Sequence, residues 1–128
     1  MARTHDPAEL LPLPHLTYLV LLAVARGDAH GWEIIRRIRE ITAGETNPSS
    51  GSLYLAMVRL EERGLLEELG PPVGEVEDGR GRRYYGLTGF GRRVLEAESA
   101  RLAELVREAH RLGAVGAPPP SRRARGRA

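Results

Sequence analysis

After Gly64 the apolar residues of this chain stop recurring at helical spacing. Residues 65–69, "LLEEL", and 82–87, "RRYYGL", are short runs of extended character. The stretch between them, "GPPVGEVEDGRG" at 70–81, holds too many glycines and prolines to continue a helix. Two such runs joined by such a loop predict a β-hairpin, with Tyr85 and Leu87 on one face and Tyr84 on the other.

On both sides of the hairpin the period is helical. Pro14 is placed to open a first helix, in which Leu16, Leu19, Val20, Ala23 and Val24 recur at helical spacing. That helix is apolar nearly all round, which predicts a central place in the core. It stops at Gly27, and Asp28 is expected to cap a second helix over about 29–42. There Ile34, Ile35, Ile38 and Ile41 form one stripe, and Glu33, Arg36, Arg37 and Glu40 the other. "AGETNPSSG" breaks the pattern, and a serine before Leu53 caps a third helix running to about Arg63. Its inward residues are Leu53, Ala56, Met57 and Leu60, and its outward ones Ser52, Leu55, Val58, Arg59 and Glu62.

Thr88 caps a last helix over 88–113, with Leu95, Leu102 and Ala109 seven apart and Leu105 and Leu112 beside them. Glu98 interrupts this heptad-like seam. Residues 1–12 lack periodicity and are expected to form a flexible arm, and 114–128 a disordered arginine-rich tail. The order helix, helix, helix, strand, loop, strand, helix predicts a mainly α fold with a small β-hairpin. This is a winged helix-turn-helix over 13–87, followed by a C-terminal dimerisation helix over 88–113.

At 128 residues the chain fits one domain, and with no cysteine it can hold no disulfide, thiolate zinc site or cysteine nucleophile. Its longest apolar run, "LTYLVLLAVA", is half the roughly 20 residues of a spanning helix, and no signal-peptide pattern precedes it. The expectation is a cytoplasmic protein with no membrane contact. His5, His15, His30 and His110 are isolated, with no HExxH, and no strand–GxGxxG–helix unit surrounds Gly79 and Gly81. Glu61-Glu62 and Glu67-Glu68 look like exposed faces, so no enzyme, metal or cofactor is expected. The net charge of +2 includes the four arginines Arg122, Arg123, Arg125 and Arg127 of the tail, which leaves the rest near 2 − 4 = −2. Overall charge therefore decides nothing about nucleic acid, and local distribution must.

The segments "GSLYLAMVRLEERGLL" (51–66) and "GRGRRYYGLTGFGRRVL" (79–95), with "HGWEI" at 30–34, resemble the PadR family of bacterial transcriptional regulators. The resemblance spans about 13–112 and implies a dimeric winged-helix repressor, sometimes released by a small ligand. Gly81 stands where such wings often have proline, and Leu55 and Val58 where proline and a basic residue are frequent. Members with a drug-binding pore place tryptophans at the dimer interface. Here, in a departure from that pattern, the only tryptophan is Trp32, on the second helix. The resemblance implies a ligand site between the first and last helices of two subunits, with an aliphatic lining and Trp32 as a candidate nearby aromatic.

In helix-turn-helix docking the third helix enters the major groove and the second crosses the backbone. The expected DNA contacts are therefore Ser49, Ser50, Ser52, Tyr54 and Arg59 on the third helix, and Arg36 and Arg37 on the second. The wing adds Arg80, Arg82 and Arg83, opposed in number by Glu75, Glu77 and Asp78. Dimerisation is expected through Leu16, Leu95, Leu102, Leu105, Ala109 and Leu112. The expected partners are a pseudo-palindromic double-stranded operator, a second copy of the chain and, in some cases, a small-molecule effector. A winged-helix dimer without specific DNA binding, acting as a protein-interaction module, is the alternative that the acidic wing and apolar Leu55 and Val58 leave open.

Overall fold

The structure, a computed structural model, describes residues 6–70 and 83–118. Helix α1 (His15–Ala25) buries Leu19, Val20, Leu21, Ala23 and Val24, and takes the central place its all-round apolarity predicts. Helices α2 (Gly31–Ile41), α3 (Ser50–Glu62) and α4 (Gly89–Arg111) all pack on it. Leu53, Ala56, Met57 and Leu60 of α3 face inward as expected, and Ser49 caps the helix by accepting a hydrogen bond from Ser52 N at 3.1 Å.

The hairpin is there, with β2 (Leu66–Leu69) antiparallel to β3 (Tyr84–Leu87) in the register Leu66↔Leu87 and Leu69↔Tyr84. It gains a third strand. Residues expected to start the second helix form β1 (Ala29–His30), which pairs with β3 through Ala29↔Tyr85 and His30↔Tyr84. β3 is thus the middle strand, covered on both edges, and both tyrosines are buried. Tyr84 meets the His30 ring edge-on at 5.4 Å, and Tyr85 joins the core.

The cap of α2 also differs from expectation. His30 Nδ1 accepts from Glu33 N at 3.3 Å, and Asp28 does not cap. Its carboxylate lies against Gly86, where an added Cβ would stand 2.7 Å from Asp28 Oδ1 and 2.8 Å from a Leu69 methyl. Such close packing accounts for a glycine inside a strand.

Residues 6–12 of the expected flexible arm are tied down. Pro7–Leu10 form a 3-10 turn capped by Asp6, which packs on α4, and Leu10 and Leu11 rest against the core. The tie is Glu98, whose side chain is buried and accepts from Leu13 N at 2.7 Å and from Arg101 Nε at 2.5 Å. What the sequence shows as a break in an apolar seam is the acceptor that a covered backbone N–H requires. The Arg101 hydrogen bonds, aided by the Leu13 amide and opposed by burial, hold the Glu98 carboxyl below the usual carboxylate range.

A depressed carboxylate stabilises the fold above its unfolded pKa of about 4.3, and that contribution is lost as pH falls through the lower folded value. Glu98→Gln is therefore expected to cost about 2 kcal/mol in urea denaturation at neutral pH. The gap from the unsubstituted protein should close below about pH 4; a gap that persists in acid would show that the carboxylate charge is not its source.

Candidate nucleic-acid interface

Ser50, Ser52 and Tyr54 are exposed near the start of α3, and Tyr54 stands well clear of the core at 59% exposure. Ser49 is committed to the cap and also donates to Ser52 Oγ at 3.0 Å. Further along the outer face come Leu55, Arg59 and Arg63, which with Ser52 border a groove of about 260 Å³ against Pro14, Leu16 and Thr17 at the start of α1. Neither Arg59 nor Arg63 has a carboxylate within 4 Å among the described residues.

The arginines of α2 differ. Arg37 Nη1 donates to the carbonyls of Ala23 at 3.0 Å and Gly27 at 2.6 Å, and its Nη2 lies 3.4 Å from Glu33. It ties α2 to carbonyls at and just beyond the C-terminal end of α1, so this arginine, expected to contact phosphate, has internal partners in the structure. Arg36 is held by Glu33 at 3.5 Å and Glu40 at 3.2 Å on an exposed face. Exposed pairs of this kind contribute about 0.3–0.5 kcal/mol, a small obstacle to exchanging a carboxylate for a phosphate.

On the hairpin side, Arg83 is exposed just before β3, with Glu68 at 3.7 Å raising its already high pKa. Burial pushes the Tyr85 phenol up, which keeps it neutral beside Arg83. Arg80, Arg82, the acids Glu75, Glu77 and Asp78, and the arginines of the tail lie outside the described residues.

Trp32 stands beside α3. It is 73% exposed and shares one recess of about 320 Å³ with His30, Gly31 and Arg83. It shares a second, of about 260 Å³, with Ser50, Leu53, Tyr54 and Met57 among others. Its described surroundings are thus the starts of α2 and α3 and the residue before β3, whereas the expected ligand site lies between the first and last helices of two subunits. The signal was in the helical wheel: two positions before Ile34, Trp32 lies about 200° from the buried stripe.

The expected dimerisation residues divide along α4. Leu95 is buried within the chain, Leu102 and Ala109 are half-buried, and Leu105 and Leu112 are 56% and 64% exposed. Val106, which the heptad reading passed over, is exposed at 53%. Leu16 lines the α3 groove, while Tyr18 of α1 reaches α4 through a 2.7 Å hydrogen bond between its hydroxyl and that of Ser99. Among the described residues no group of three or more His, Cys, Asp or Glu is placed to hold a metal ion, and no helix is long and apolar enough to cross a membrane.

Residues 20–97 match the transcriptional regulator PadR-like family. The transcriptional regulator YqjI of Escherichia coli is 31% identical over 102 residues, which are 80% of this chain and 45% of that protein. This chain thus spans under half of YqjI. An uncharacterized protein of Lysinibacillus sphaericus is 32% identical over 94 residues, 73% of this chain and 77% of that one. Among solved structures, a PadR family transcription regulator from Clostridium difficile superposes with a TM-score of 0.65 at 24% identity, covering 77% of this chain and 98% of that one. A PadR-like transcription factor from Bacteroides fragilis gives 0.61 at 28% identity, covering 76% and 88%. With a winged helix-turn-helix fold and more than half of its residues matched, the protein belongs to the PadR-like family of transcriptional regulators, which bind DNA and are not enzymes.

Proposed function

We propose that this DNA-binding regulator is a homodimeric repressor reading a pseudo-palindromic operator, its two α3 helices entering successive major grooves about 34–36 Å apart. The observation that carries the reading is the outer face of α3. Arg59 and Arg63 stand there without carboxylate partners among the described residues, whereas Arg36, Arg37, Arg101, Arg107 and Arg111 each hold one. An arginine free of internal ion pairs can give both arms of its fork to guanine or phosphate. Exposed Leu55 beside it suits a thymine methyl.

The second copy would pair along the exposed half of α4. Release by a small ligand would then act by shifting α4, because the start of that helix is seated on the turn after α3 and would carry the winged domain with it.

Fluorescence anisotropy of the full chain with DNA from upstream of its own gene, against excess random duplex, tests the reading. Arg59→Ala is expected to weaken the specific complex by about 5- to 100-fold and the random complex much less. Equal losses would make Arg59 a phosphate contact only. Failure of the unsubstituted protein to hold any genomic fragment against competitor would overturn the reading.

A further inference from the structure

The large exposed apolar side chains fall mainly in two groups. Leu105 and Val106 of α4, with Leu112 at its C-cap, belong to the pairing proposed above. Trp32 and Tyr54 form the other, and they line one recess together with Ser50 and Arg83. The start of α2, the start of α3 and the entry to β3 therefore converge on a single indole. These are the elements that a winged helix turns toward a duplex.

Within the chain this indole has little to do. It is 73% exposed, so it contributes little buried area. Among the described residues its N–H has no hydrogen-bond acceptor. An indole offers a flat apolar face and one donor at its edge, the combination found where a binding partner is itself partly apolar and partly polar.

We propose that Trp32 is a DNA-backbone contact: its ring lies on a deoxyribose and its N–H donates to a phosphate at the edge of the groove entered by α3, with Arg83 neutralising a neighbouring phosphate. The inference rests on the DNA-binding reading above and adds to it a residue of α2. Two observations select a nucleic-acid strand as the occupant. The recess is continuous with the recognition helix through Ser50 and Tyr54, and among the described residues that line it or its neighbour none is acidic. Among the described residues the carboxylate paired with Arg83 is Glu68, at 3.7 Å, which leaves the arginine side chain 62% exposed.

Trp32 is the sole tryptophan, so selectively excited tryptophan emission reports on this site alone. The full chain would be titrated with the upstream duplex and with a random duplex. Emission is expected to change on both and to saturate together with anisotropy, since a backbone contact is blind to sequence. Trp32→Ala should weaken both complexes by about tenfold with an unchanged salt slope, and Trp32→Phe should recover part of the loss. Arg83→Ala should instead lower the slope by about one. The exposed position leaves the melting temperature of Trp32→Ala near that of the unsubstituted protein, which separates lost contact from lost fold.

If anisotropy reports binding while emission stays constant and Trp32→Ala binds normally, this contact is wrong and the DNA-binding reading stands. Emission that changes with protein concentration but not with DNA would make the patch a contact between copies, and overturn the inference. If no duplex binds at all, the functional reading falls and takes this inference with it.

Discussion

Replacing Gly91 with alanine is expected to lower the melting temperature by about 10 °C or more, the cost of overpacking a site at about 3 kcal/mol. Gly91 lies in the first turn of α4, and a Cβ there would stand 2.9 Å from the carbonyl carbon of Leu65 and 3.1 Å from its Cα, overlapping the carbonyl oxygen. These are backbone atoms, which cannot swing aside as a side chain would. The close approach is built by Thr88, whose hydroxyl donates to Gly64 O at 2.5 Å and accepts from Gly91 N at 2.9 Å. The Thr88 amide donates to Leu65 O at 3.1 Å. Gly89, two positions earlier, meets only the end of the Arg93 side chain at 3.8 Å, so Gly89→Ala should be neutral or stabilising by about 0.5–1 kcal/mol. Thermal denaturation followed by circular dichroism checks both. A Gly91→Ala melting point within about 2 °C of the unsubstituted protein would show that α4 is not seated as described.

That contact shows what kind of information the sequence carried. The period along each element was enough to place α1, α3, the hairpin and the burial of Leu53, Ala56, Met57 and Leu60. Period reports which face of an element is wet, so it succeeds where burial follows the element's own geometry. It failed where a distant segment decides. β1 is two residues long and exists only because β3 lies beside it, and so short a run has no period to read. Glu98 looked like a flaw in a seam because its partner, the Leu13 amide, is 85 positions away.

The interface was legible in the same uneven way. The exposed positions of α3 follow from the wheel, and so does Trp32 once its angle to Ile34 is drawn. The role of Arg37 does not, because an arginine on the polar side of a helix reads as solvated until the carbonyls of Ala23 and Gly27 are seen within its reach. Family resemblance in residues 51–66 and 79–95 supplied the function class, and physical periodicity supplied the fold beneath it.

The largest functional effect is expected from Leu105→Glu combined with Leu112→Glu. Both leucines are more than half exposed on the described chain, with Val106 beside them. The exposed ion pairs Glu104–Arg107 and Glu108–Arg111 already keep this half of α4 soluble, so an apolar stripe here adds nothing to the monomer. Set against a twofold mate, the stripe is self-complementary, and glutamates in it would put like charges face to face. Analytical ultracentrifugation should find the double variant monomeric at concentrations where the unsubstituted protein is a dimer. Its melting temperature, extrapolated to low protein concentration, should match, since no buried residue has changed. Operator affinity should fall by about 10²- to 10⁴-fold, because the second half-site is no longer bound at the effective concentration that the first supplies. A variant that remains dimeric with full affinity would move the association surface off α4. One that is monomeric yet binds as tightly as before would end the two-half-site reading, and a single α3 with its wing would have to account for all of the affinity. Gly91→Ala also disturbs DNA binding through α4, but it lowers the melting point as it does so, and that difference separates a misplaced helix from an unpaired one.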